Sequence, residues 1–94
     1  LRFKPAAAVA SARRAGTPPA IDQIHKYFQI NCMPVVSSNY WPMVHGRSVE
    51  DVRQDAEGLQ IMRVLGTNMA WMLQATSAAP APNVEQKIMT SFIR

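Results

Sequence analysis

Residues 6–17 read AAAVASARRAGT, and this stretch constrains the fold more than any other part of the chain. A run so small and apolar is the pattern of a strand buried on both faces, as in parallel sheets covered by helices. It ends abruptly in a polar loop that carries Arg13, Arg14 and Gly16. In open α/β sheets ligands bind outside the carboxyl ends of the strands, which makes this loop a candidate site. The pattern returns at residues 33–38, MPVVSS, a β-branched run that empties into residues 39–46, NYWPMVHG. If the two strands run parallel, both loops lie on one sheet edge, and that edge is the candidate site.

Between the two runs the spacing predicts a helix. Pro18 and Pro19 suit a first turn, where a missing N–H costs no hydrogen bond, and Thr17 is placed to be the N-cap. Ile21, Ile24 and Tyr27 or Phe28 then recur at helical steps, with Asp22, Gln23 and Lys26 on the other side, and the helix ends near Asn31, before Pro34. Strand, loop, helix and strand in this span make a βαβ crossover unit.

Ser48 opens a second helix, with Asp51 at capping-box spacing and Glu50 favourably placed against the helix dipole. The stripe Val52, Ala56, Leu59, Met62, Leu65, Met69, Met72 predicts one long packed helix over the sheet. Gly58 and Gly66 inside it each cost roughly 1 kcal/mol relative to alanine, and a close approach to a strand or a neighbouring helix would explain them. Residues 75–83, ATSAAPAPN, read as an extended linker. Residues 84–94 read as a docking helix or arm, so the domain proper is residues 1–78, followed by residues 79–94.

The chain of 94 residues suffices for one small domain. Two strands fall short of the four to six usual in a sheet, so the chain reads as a fragment or processed piece, or as one that assembles with copies of itself. The formal charge is +4, but the ten Lys and Arg residues are scattered, with only Arg13 and Arg14 adjacent, which argues against nucleic-acid binding. The single cysteine, Cys32, excludes an internal disulfide and a clustered thiolate metal site, and it reads as a buried structural thiol. No signal peptide is visible and no apolar run approaches the ~20 residues of a membrane span, so the expectation is a cytoplasmic protein without membrane attachment.

Taken together, Lys4-Pro5, residues 9–14 (VASARR) with Gly16 and Thr17, residues 33–38 with Tyr40-Trp41 and Val44-His45-Gly46, residues 59–71 (LQIMRVLGTNMAW) and Phe92-Ile93-Arg94 form a pattern that resembles the C-terminal half of the NADPH-dependent FMN reductase family, flavodoxin-like flavoproteins that include iron–sulfur flavoprotein relatives. The resemblance implies an α/β chain forming the C-terminal part of a flavodoxin-like, doubly wound parallel sheet. It implies FMN at the carboxyl edge, NADPH as hydride donor, and an oligomer or association with an N-terminal half. Ser11, Ala12, Arg13, Arg14, Gly16 and Thr17 would lie beside the isoalloxazine ring. The family's serine-rich phosphate loop has no counterpart here, and Ala15 stands where relatives usually carry a second glycine.

Residue by residue, Arg13 and Arg14 suit an anionic group or a solvated turn. Tyr40 and Trp41 suit a flat ring, or else a sheet edge or subunit interface. His25 reads as a surface residue and His45 as a residue of the edge loop. Met62, Met69 and Met72 read as core, and Trp71 as part of a neighbouring element or oligomer surface. No catalytic triad or metal ligand set emerges, and hydride transfer to flavin needs none. The alternatives are a non-enzymatic electron-transfer or binding module, and an inactive truncated product.

Overall fold

The computed structural model describes residues 1–93, and its chain builds a small parallel sheet flanked by helices. Strand β1 is Ala10–Ala12, helix α1 Thr17–Ile30, strand β2 Met43–His45, helix α2 Val49–Gln54 and helix α3 Ala56–Ser77. The strands pair in parallel with Ala10 opposite Met43, Ser11 opposite Val44 and Ala12 opposite His45. α1 packs on β1 and α3 on β2, so the expected α/β crossover is present as a two-stranded unit.

The second strand is not where the sequence pattern places it. Of residues 33–38 only Val35 pairs, through an isolated parallel bridge to Ala6, and β2 lies inside the segment expected to be an irregular loop. From the first bridge to the first ladder pair the β1 side advances four residues (6 to 10) and the other side eight (35 to 43). The surplus forms a loop that carries Tyr40 and Trp41. Three bonds hold this detour: the Ser38 hydroxyl donates to the Ile61 carbonyl at 2.7 Å, the Asn68 amide donates to the Ser37 carbonyl at 2.8 Å, and the Met43 N–H turns back to the Trp41 carbonyl at 2.7 Å. Pro42 sets that last three-residue turn, and its own carbonyl accepts from Ala10 at 3.0 Å.

The helix ends also differ from expectation. Gly16, not Thr17, caps α1, in a left-handed conformation at φ 96°. Thr17 is instead buried within the first turn, its hydroxyl directed at the Met43 sulfur at 3.2 Å. At the other end Cys32 adopts φ 55°. The Cys32 N–H bonds the Gln29 carbonyl at 3.1 Å and the Met33 N–H bonds the Phe28 carbonyl at 3.0 Å, the paired pattern of a Schellman turn. Cys32 is therefore exposed at a turn and is not the buried thiol expected.

The long stripe splits at Asp55 into α2 and α3. Ser48 caps α2 as expected, accepting from the Asp51 N–H at 3.3 Å, while Asp51 accepts from Arg47 at 3.2 Å. Gly58 has the close neighbour that its cost required: a Cβ there would meet the Asp55 carboxylate and lie 2.8 Å from Val44 Cγ2 of β2. Gly66 has nothing within 4 Å, so no close approach explains it. α3 extends through Ser77, into the stretch expected as linker, and residues 79–92 carry no helix or strand. The part of the C-terminal reading that falls on Arg94 lies outside the described residues.

The buried apolar set is short: Ala6, Ala8, Ile21, Val36, Ile61 and Leu65. The four larger aliphatic side chains contribute roughly 1.5–3 kcal/mol each on burial, and the alanines much less. Met62, Met69 and Met72 are half-buried flanks of this core and not its centre. The radius of gyration, 16.8 Å, exceeds the ~12 Å of a compact domain of this length, and residues 79–93 are exposed and carry no helix or strand. No described helix is long and apolar enough to cross a membrane.

Candidate functional site

Parallel pairing brings the carboxyl ends of β1 and β2 to one edge. Ala12 sits opposite His45, and the Gly46 N–H donates to the Ala12 carbonyl at 3.1 Å. The two loops that leave this edge are residues 13–16 and residues 46–48. Arg13, Arg14 and Ala15 are exposed, and none of their backbone N–H groups has a hydrogen-bond partner among the described residues. Positive φ falls at Gly16, which has no side chain to strain, and not at Ala15. Alanine at position 15 therefore carries no backbone penalty, and the loop stays open where the resemblance expects a second glycine.

The edge contains residues that the strand pattern had hidden. With β2 at Met43–His45, the loop facing Arg13 and Arg14 is Gly46 and Arg47, so three guanidinium groups belong to the two loops of this edge. A short run bounded by Pro42 and Gly46 is the signal that would have found this strand. Gly46 turns against α2, and a Cβ there would come 2.6 Å from the Val52 backbone nitrogen and from its Cγ2.

Behind the edge, Asp55 joins sheet and helix. Its Oδ2 accepts from the His45 N–H at 2.8 Å and its Oδ1 accepts from the Gly58 N–H at 2.9 Å. The hydrogen bond from Gly58, then that from His45, hold this carboxyl below its usual 3.8. An open groove of about 140 Å³ lies here, lined by Tyr40, Met43, His45, Asp55, Glu57 and Ile61 among others.

Tyr40 and Trp41 precede β2, so they stand beside the sheet and not beyond the edge with Ser11 to Thr17. Their rings lie 4.8 Å apart at 57°, and both are at least half exposed. They line a second groove of about 240 Å³ with His25, Val36 and Pro42. His25 is half-buried, contrary to its reading as a surface residue, and its Nε2 has no hydrogen-bond partner. Ser11 and Ala12 belong to β1, and Arg13 and Arg14 line neither groove.

FMN is the cofactor the resemblance implies, and the chain fits its parts unequally. A flavin ring's polar edge needs main-chain donors at a sheet edge, and the free N–H groups of residues 13–15 supply them. A helix N-terminus with open donors is a ready-made phosphate site. α1 has prolines at its second and third positions, α2 is only 6 residues long with its first turn engaged by Ser48, and α3 is occupied by Asp55. Among the described residues, the loop amides are open to a ring's polar edge, and no helix N-terminus offers a full set of open donors to a phosphate.

Comparison of the chain with protein-family models, with curated proteins and with solved structures finds no match.

Proposed function

We propose that this chain supplies the isoalloxazine side of the FMN site in a flavodoxin-like, doubly wound NADPH-dependent FMN reductase, and that residues outside the 94 hold the phosphate. The observation that carries the reading is the open loop at the carboxyl end of β1, where the N–H groups of Arg13, Arg14 and Ala15 are free. Ligands of open parallel sheets sit at that end of the strands. Gly16 shapes the exit into α1, Ser11 and Ala12 fix the loop's root, and Thr17 anchors it to β2 through Met43.

In this reading the loop amides orient the ring's polar edge, and Arg13 and Arg14 favour negative charge on the flavin or on the NADPH phosphates. Tyr40 and Trp41 offer an aromatic surface across β2. The chemistry that FMN supplies when bound is acceptance of a hydride from NADPH, so no proton-transferring side chain is required.

The exposed Tyr40–Trp41 pair favours a second reading, an electron-transfer module that docks a redox partner through this surface. One experiment separates the two. FMN is added to the purified chain, the excess is removed, and the visible spectrum is followed while NADPH is supplied anaerobically. A retained flavin spectrum that bleaches supports the reductase. A retained spectrum that NADPH leaves unchanged supports the electron-transfer module, and loss of the flavin overturns both for this chain alone.

A further inference from the structure

Arg47 reaches the carboxyl edge through the register of β2, and it brings a third positive charge to the loops that leave that edge. The Gly46 N–H donates to the Ala12 carbonyl at 3.1 Å, which continues the pairing one residue past His45, so Arg13 and Arg47 leave the sheet from adjoining strands. Arg47 is held at its root. Its N–H donates to Asp51 Oδ2 at 3.2 Å, and the preceding Gly46 sits tightly against Val52. Arg47 itself is exposed, as are Arg13 and Arg14. Neither residues 13–16 nor residues 46–48 include a carboxylate, and the Asp55 carboxylate behind the edge already accepts two N–H groups.

Neighbouring strands lie about 4.8 Å apart, a distance that three fused rings exceed. A flavin lying along the edge on the amides of residues 13–15 therefore comes within reach of the loop of Arg47. Oxidised flavin is neutral. Acceptance of a hydride from NADPH brings one proton with two electrons and leaves an anion, with the charge at the polar end of the ring that those amides address. A fixed cation stabilises that anion and does little for the neutral form.

We infer that this edge binds reduced flavin more tightly than oxidised flavin, that Arg47 supplies the charge behind the preference, and that the flavin stays on the protein between accepting and passing on its electrons. The ligand comes from the proposed function; the redox state it favours and its role as a resident cofactor go beyond it. A site shifts an equilibrium only by its differential affinity for the two states. Each tenfold preference for the reduced form raises the two-electron potential of the bound flavin by about 30 mV.

The test is anaerobic equilibrium dialysis of riboflavin, which carries no phosphate, at pH 8, in its oxidised form and after reduction with dithionite. The native chain is compared with Arg47→Gln and Arg47→Lys. Position 47 is exposed, and circular dichroism verifies that both variants keep the fold. The native chain should retain reduced riboflavin the more tightly, and added salt should narrow the gap. Arg47→Gln should shrink the preference roughly fivefold, the size of one charge pair in water, mainly by releasing the reduced form, and Arg47→Lys should keep most of it. Equal retention of the two forms by the native chain, a preference unchanged in Arg47→Gln, or an Arg47→Lys chain that behaves as Arg47→Gln overturns the inference and leaves the proposed function standing. Retention of neither form overturns both.

Discussion

The Asp55 carboxylate accepts the His45 N–H at 2.8 Å, which ties the last residue of β2 to the first turn of α3. Asp55 thereby closes α2 through its backbone N–H, and with its side chain begins α3 and fixes the carboxyl edge of the sheet from behind.

Acid should loosen this junction first. The carboxyl of Asp55 is held below its ordinary 3.8 in the folded chain, so its contribution is fully present above that value. It is lost as pH falls through the depressed folded value, because the unfolded chain then binds the proton more readily. Urea unfolding followed from pH 7 to pH 2 should show a loss of stability in the acid range that is reduced in Asp55→Ala. That variant should already be less stable than the native chain at pH 7.

The left-handed cap of α1 gives a second expectation. Gly16→Ala places a Cβ at φ 96°, where an L-residue costs roughly 1–2 kcal/mol. Ala15→Gly relieves no such strain and adds only freedom to the unfolded chain, so its stability should be unchanged or slightly lower. Urea midpoints for the two variants check the contrast. Equal stabilisation by both would mean that the turn is shaped differently.

At the other end of α1, Cys32 occupies the position that glycine favours in a Schellman turn. Cys32→Gly should stabilise the chain by about 0.5–1 kcal/mol, the relief of the left-handed backbone exceeding the entropy that glycine adds. The thermal midpoint should rise, and no buried packing should be lost because the thiol is exposed.

These local features show which parts of the fold were legible in the sequence. The span of α1, to within a residue at its N-terminal end, and the Ser48 cap follow from proline placement, helical spacing and capping chemistry acting over a few residues. The position of β2 does not, because it depends on contacts distant in sequence: Ser38 donates to Ile61 of α3 and Asn68 of α3 donates to Ser37, across 23 and 31 residues, and these bonds hold residues 37–38 out of the ladder. The break at Asp55 was hidden because the apolar stripe runs through it unchanged, although an aspartate three residues before a glycine was the available signal. Of the candidate site, the loop from Ser11 to Thr17 was readable from an apolar run ending in polar residues. That Arg47 belongs to the same edge was not, since it follows from the register of β2. Tyr40 and Trp41 were identified as prominent but placed on the wrong side of a strand.

The proposed function rests on one division, the flavin ring on the free amides of residues 13–15 and the FMN phosphate on residues outside the 94. Flavin titration followed by Trp41 fluorescence, in a Trp71→Phe background that leaves a single tryptophan, tests it most directly. Riboflavin and FMN should quench the signal with equal affinity, and Arg13→Ala should weaken both. Absence of quenching by either compound, or FMN binding far more tightly than riboflavin, would contradict the account.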